Sequence, residues 1–166
     1  GGIDSAANPF WASIVQSAAA PLQGGGAITP SGLQGVMESL MLPLFMQLTR
    51  NNDKPDIIVS SNDYYQFFEA GQVTIKRYTK GEEADAGFQN LLFHGVPVFF
   101  DGVSGMAASH MYFLNTNYLE MVVHSDANMT IMDETKPYNQ DAVVIPILWM
   151  GNFVSSNRSL QGVVKA

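Results

Sequence analysis

Residues 56–71 read Asp56-Ile57-Ile58-Val59-Ser60-Ser61-Asn62-Asp63-Tyr64-Tyr65-Gln66-Phe67-Phe68-Glu69-Ala70-Gly71. The first five place two Ile and a Val between polar ends, the pattern of a short buried strand. Asn62 or Asp63 then offers a helix cap, and residues 64–70 carry apolar side chains at helical spacing up to Gly71, where the helix is expected to stop. The stretch therefore predicts a strand feeding directly into a capped helix.

Working outward to the N-terminal side, Thr29-Pro30 opens the longest helical pattern of the chain. Thr29 can cap it, and Pro30 stands at the first helical position, where a missing N–H costs nothing. Leu33, Val36, Met37, Leu40 and Leu44 form one apolar stripe, Pro43 is expected to kink or interrupt the helix, and Asn51-Asn52-Asp53 ends it. Met37, Met41 and Met46 read as core and interface filler rather than as a cofactor box. Residues 1–27 read as an irregular lead-in and linker, with Asn8-Pro9, Pro21 and Gly24-Gly25-Gly26 as punctuation and room for one short apolar element within Phe10–Ala20. The Gly triplet fails as a phosphate loop, because no apolar strand leads into it and no Lys-Ser/Thr follows.

On the C-terminal side, Val73–Tyr78 reads as extended chain and residues 76–87 as a charged loop. Leu91–Phe93 and Val96–Phe100 read as strand segments broken by a bulge at Gly95, with Pro97 favouring a sheet edge. His110–Asn115 and Tyr118–His124 are two further strands. In the second, Leu119, Met121 and Val123 share one face. A short strand is expected at Met129–Met132 and a long, nearly continuous apolar one at Asp141–Met150, interrupted by Pro146. Asn152–Val164 closes as an extended tail punctuated by Gly162. Two or three helices and about seven strands without regular alternation predict the α+β class.

The composition sets limits on function. The 166 residues carry a net charge of -7, no Cys, and only 14% charged side chains, against about 25% in ordinary soluble domains. Absence of Cys removes disulfides, thiolate catalysis and Cys-based metal centres. The acidic balance argues against nucleic-acid or anionic-membrane binding, which requires surplus Lys and Arg. Only Asp4 and Glu38 are charged between Gly1 and Thr49, and only Arg158 and Lys165 between Ala142 and Ala166, whereas Lys76, Arg77, Lys80, Glu82, Glu83 and Asp85 crowd into one stretch. Charge-poor ends fit a protein whose surface is covered by partners. The block at 76–87 is a candidate subunit-interface loop.

The catalytic inventory is thin. His94, His110 and His124 form no HxH or HxxxH pair, so a metal site would need ligands from separate strands. Gly102-Val103-Ser104-Gly105 lacks the G-x-S-x-G spacing of a nucleophile elbow. A triad can be drawn from Ser104 or Ser109 with His124 and an Asp, as it can in almost any chain. Glu82, Glu83 and Asp85 are the densest carboxylates, but Lys76, Arg77 and Lys80 beside them favour a solvated loop over general acid–base work. The aromatic residues lack the interleaved basic residues of a nucleic-acid stacking platform. The sequons at Asn128 and Asn157 occur without a visible signal peptide and are read as chance. No metal or cofactor is expected. The competing reading is a small hydrolase using Glu82 or Glu83 with a histidine, and a third is a ligand-binding module exposing Trp11 and Trp149.

The runs Ala84-Asp85-Ala86-Gly87-Phe88 and Leu92-Phe93-His94-Gly95-Val96-Pro97-Val98 resemble a segment of tailed-bacteriophage major capsid proteins. His110-Met111-Tyr112-Phe113-Leu114-Asn115-Thr116-Asn117-Tyr118 is similar to that family's turn from the apical to the peripheral domain. Trp149-Met150-Gly151-Asn152-Phe153 and Ser156–Val163 resemble its C-terminal strands, and Gly1–Ser5 with Phe10-Trp11 a mid-chain segment. The order of elements carries this resemblance more than any single motif. It implies the Hong Kong 97-type capsid fold, with residues 28–116 as apical domain, 117–148 as peripheral domain and 149–166 as C-terminal strands rejoining the apical domain. The family's N-terminal arm, extended loop and spine helix are not found in these residues. The chain, which starts at Gly1 without Met, is therefore expected to be the C-terminal part of a subunit. The resemblance implies a non-enzymatic virion protein that self-assembles into hexamers and pentamers of an icosahedral shell. Its expected partners are further copies of itself and virion proteins such as portal or scaffold. The packaged DNA would be enclosed without specific binding, no membrane would be involved, and the location would be the capsid, assembled in the host cytoplasm.

Overall fold

The computed structural model describes residues 3–18, 37–76, 91–102 and 105–165. Two compact units emerge from the pattern of contacts, one of residues 1–116 with 157–166, the other of residues 117–156.

The first unit is built on a six-stranded mixed sheet. Its strands are β1 (Ile14–Ser17), β2 (Ile57–Ser60), β3 (Leu91–Phe93), β4 (Val96–Phe100), β5 (His110–Leu114) and β10 (Gly162–Lys165), in the order β1-β10-β5-β2-β4-β3. β2 runs antiparallel to β5, with Ile58 opposite Phe113, and parallel to β4, with Ile58 opposite Val98. Alternation sends Ile58, Val98, Met111, Phe113 and Val164 into one core. Two helices, α1 (Met37–Leu48) and α2 (Asn62–Lys76), supply the other side of that core: Leu40, Leu44 and Leu48 at four-residue spacing from α1, and Tyr64 and Phe68 from α2.

The strand-into-helix stretch folds as its pattern dictates, with two corrections. Ser61, rather than Asn62 or Asp63, stands before the first turn, and its carbonyl accepts from the Tyr65 N–H at 2.9 Å. Gly71 does not stop the helix, which continues to Lys76 and absorbs most of the segment expected to be extended. A glycine in mid-helix costs only about 1 kcal/mol relative to alanine, less than packing the apolar face returns. Pro43 likewise lies inside α1, on its exposed side, and the helix runs on to Leu48. Its missing N–H falls where no core contact is disturbed. Leu33 and Val36 of the predicted stripe lie outside the described residues.

Gly95 belongs to a hairpin turn, not a bulge. His94 and Gly95 both have positive φ, 49° and 79°, and join β3 to β4 with Phe93 opposite Val96. Both central residues of a type I′ turn need that conformation, and glycine adopts it without strain. Pro97 therefore lies in β4, an interior strand, against the expectation of an edge. Counting from a two-residue turn, Phe93–Val96 is the hydrogen-bonded pair and Leu92–Pro97 the non-hydrogen-bonded one. The absent N–H thus faces β2, whose pairing with β4 begins one residue later, at Val98.

The expected C-terminal tail is also corrected. β10 is the second strand of the sheet, parallel to β1 and antiparallel to β5. A Cβ on Gly162 would come within 2.7 Å of Leu48 Cδ1 and 3.0 Å of Leu44 Cδ1, so a bare backbone is what lets α1 sit this close to β10. The junction is pinned by a buried amide pair: the Gln161 side chain accepts from Asn115 N–H at 2.9 Å and donates to the Asn115 carbonyl at 3.1 Å.

The second unit contains β6 (Leu119–Val123), β7 (Thr130–Ile131), β8 (Ile147–Leu148) and β9 (Gly151–Ser155), paired as two separate two-stranded ribbons, β6–β9 and β7–β8. β9 thus pairs with β6 in this unit, whereas the sequence reading sent residues 149–156 back to the first. Only Ile147–Leu148 of the apolar run 141–150 forms strand, extended by a two-way backbone bridge between Thr135 and Val144 at 2.9 Å.

Candidate subunit interface

The second unit lacks a core. Among its described residues only Ala127 is buried. The run expected to be a long apolar strand is exposed along its length, with Val143, Val144, Ile145, Ile147, Trp149 and Met150 facing out. Tyr138 is 105% exposed, and Met121 and Phe153, which are register partners on the β6–β9 ribbon, are 65% and 64% exposed. A two-stranded ribbon is marginal by itself in water. So many exposed large apolar side chains in one small unit mark an interaction site rather than ordinary surface. The sequence signal was real, since an apolar run does ask to be buried. Periodicity cannot say whether the cover is the same chain.

The first unit holds the polar cluster that sequence reasoning missed. At the start of α2, Asp63 accepts from the Ser61 hydroxyl, from Ser109 Oγ at 2.7 Å and from Ser109 N–H at 3.2 Å, while Ser61 Oγ accepts from His110 N–H at 3.2 Å. Ser109 is held at φ 58° by these contacts. Burial pushes the Asp63 carboxyl up, but the hydrogen bonds from Ser61, Ser109 and the Tyr64 backbone together hold it below its usual value. An open cavity of about 310 Å³ lies beside the cluster, lined by Asn62, Gln66, Asp101 and Met106 among others. The serine–carboxylate contact is a clamp between α2 and the segment before β5. Ser109 donates to Asp63, and the neighbouring His110 ring bonds the Ala108 carbonyl at 2.8 Å, so no serine–histidine relay forms there.

Tyr64, next in α2, is fully buried, and its hydroxyl has no hydrogen-bond partner among the described residues. Burial, then the Asp63 charge, push its phenol up to about 12. Its folded value lies above the ordinary 10.0, so the chain keeps its full stability below pH 10 and loses it as pH rises towards 12, where folding opposes ionisation of the phenol. Tyr64→Phe is expected to raise stability at neutral pH by about 1 kcal/mol, by removing an unpaired buried hydroxyl, and to flatten the alkaline decline. Urea unfolding at pH 7 and pH 11 checks both.

Lys76 closes α2, and Arg77, Lys80, Glu82, Glu83 and Asp85 lie outside the described residues, as does Ser104. His94 stacks on Phe45 at 5.5 Å in the hairpin turn, and His124 caps a short 3-10 turn by accepting from Asp126 N–H. Among the described residues no three His, Asp or Glu side chains gather closely enough to hold a metal ion, and no helix is long and apolar enough to cross a membrane. Trp11 belongs to the first unit and Trp149 to the second.

No family model matches the chain, and no curated protein sequence does. Among solved structures it is similar to the Cyanophage A-1(L) capsid asymmetric unit, with a TM-score of 0.63 and 16% identity, over 99% of this chain and 54% of that one. The chain thus spans about half the length of that capsid protein, and the fold is phage capsid-like.

Proposed function

We propose, from a fold shared with a phage capsid subunit, that the protein is a structural, non-enzymatic shell subunit of a virion. The observation that carries the reading is the coreless second unit, whose apolar surface requires a partner to cover it. A shell built from copies of one subunit supplies such cover at every position, and rings of subunits need head-to-tail contacts between unlike surfaces. The finer assignment is the Hong Kong 97-type fold, with the sheet unit as apical domain, the ribbon unit as peripheral domain, and assembly into hexamers and pentamers of an icosahedral shell in the host cytoplasm. Portal or scaffold proteins would be further partners. A subunit with net charge -7 would enclose DNA without gripping it, since few counterions can be released.

Native mass spectrometry and electron microscopy of the full chain, with any upstream sequence its gene encodes, are expected to show rings or shells. A strictly monomeric chain at high concentration would sink the reading. In the same experiment Arg77→Glu is expected to weaken association and change its salt dependence, if the charged block Lys76, Arg77, Lys80, Glu82, Glu83 and Asp85 lies at a subunit boundary. Unchanged assembly removes that placement.

A further inference from the structure

β5 and β10 are antiparallel neighbours, with Phe113 opposite Gly162, so they form a hairpin whose connection is the whole stretch between them. A hairpin needs only roughly two to five residues to turn. Here the base of the connection is closed by first-unit residues alone. The Gln161 side chain accepts from Asn115 N–H at 2.9 Å and donates to the Asn115 carbonyl at 3.1 Å, joining the two strand ends directly. On the way out, Thr116 N–H donates to Asp56 at 2.9 Å, and the Thr116 hydroxyl donates to the same carboxylate. On the way back, the Asn157 side chain accepts from Ser159 N–H at 3.1 Å and from Ser159 Oγ at 2.8 Å, while Arg50 donates to Ser159 Oγ at 3.1 Å. The first unit therefore closes without any contribution from residues 117–156. Those residues bury only Ala127. Backbone pairing holds them: the β6–β9 and β7–β8 ribbons and the Thr135–Val144 bridge. Ribbons of two strands are marginal in water, and a stretch this short without a disulfide seldom folds alone.

We propose that residues 117–156 are a module whose folding is coupled to association. In the free subunit they open as one piece while the first unit stays closed, and they order when association covers their apolar side chains. The coupling rests on the shell reading; the opening in the free subunit does not. Ordering then subtracts from every contact the module makes, so affinity per contact is low and association stays reversible.

Amide hydrogen exchange on the full chain, dissociated and associated, tests this. His124 N–H donates to the Met150 carbonyl and Ser156 N–H to the Tyr118 carbonyl, which makes Glu120, Val122, Asn152 and Val154 the ladder donors of β6 and β9. In the free subunit these amides are expected to exchange within about tenfold of an unstructured chain, against a slowing of about a thousandfold or more on β2 and β5. On association they should slow by about a hundredfold or more. A glutamate-specific protease supplies a second readout. Glu120 lies inside β6, so cleavage after it requires the ribbon to open. The free subunit is expected to be cut there, with its two pieces held together by β10 between β1 and β5, and the associated subunit to resist. Ladder amides slowed by more than about tenfold in the free subunit, or a cut that makes the first unit fall apart, overturn the separate opening. Amides that stay fast in the associated state overturn the coupling and leave the shell reading standing. A chain that never associates overturns the shell reading and the coupling together, while the free-subunit exchange still decides whether the module opens alone.

Discussion

Phe113→Ala is expected to destabilise the first unit by about 3–5 kcal/mol, the range for removing a fully buried aromatic ring. Phe113 sits in the third strand of the sheet with no exposed surface, opposite Ile58 on one side and Gly162 on the other. Gly162 has no side chain to refill the space, and Leu44 and Leu48 are already packed against its backbone. The site therefore collapses poorly, and the loss should fall in the upper part of the range. Against the 5–15 kcal/mol that holds an ordinary domain together, such a loss lowers the thermal midpoint by roughly 10–20 °C. Thermal unfolding followed by circular dichroism reads it. Phe153→Ala is the matched contrast. The same ring is lost from a side chain 64% exposed, so the unassembled chain should change by less than about 0.5 kcal/mol, while association weakens. If Phe153→Ala unfolds the isolated chain as Phe113→Ala does, the second unit has internal packing of its own and its role as an uncovered interface is wrong.

The second large effect is expected at the Asp63 clamp. Asp63→Ala leaves the Ser61 and Ser109 hydroxyls and the Ser109 N–H without their acceptor, and removes what holds Ser109 in its left-handed conformation. Hydrogen bonds to a charged acceptor are stronger than neutral ones, and the buried donors left behind add a desolvation cost. Together these put the loss at about 2–3 kcal/mol. The carboxyl lies below its ordinary 3.8 in the folded chain. Its contribution is therefore complete above about pH 4 and fades as pH falls through the folded value. Asp63→Asn should keep part of the clamp while removing this acid-side dependence. Urea midpoints of the unmodified protein and the two variants between pH 2 and pH 7 separate the cases. Parallel pH profiles for the unmodified and the Asp63→Asn chains would show that the carboxylate charge plays no part.

Much of the first unit was legible because its cover is local. Asp56–Ser60 followed by Ser61–Ala70 has a strand period, then a helical one, and both faces are buried by elements of the same sheet and helices. The errors there came from single-residue punctuation. Gly71 and Pro43 are breakers by propensity, yet each lies in a helix whose buried face outweighs a local cost of about 1–3 kcal/mol. Gly95 was placed correctly as an interruption but misread in kind, since a bulge and a two-residue hairpin both call for glycine. The second unit was harder for a different reason. Residues 141–150 are apolar enough to demand burial, and the pattern of one chain cannot reveal that the demand is unmet within it. The Asp63 clamp was invisible because Ser109 and Asp63 are 46 positions apart and neither belongs to a motif.

The placement of β10 between β1 and β5 also constrains how the protein comes into being. Ile14 must wait for Gly162, and β5 keeps one flank open until the same residues arrive. On a ribosome the other five strands of this sheet emerge first, and the sheet cannot close until residues 162–165 have left the exit tunnel. Loop closure over that span is slow. During the wait the nascent chain presents open edges on β1 and β5 as well as its uncovered ribbons, and neighbouring chains on one polysome present the same edges at high local concentration. A late-arriving strand in the middle of the sheet therefore makes the order of synthesis, and the crowding of growing chains, part of what decides between a correctly closed subunit and a mispaired one.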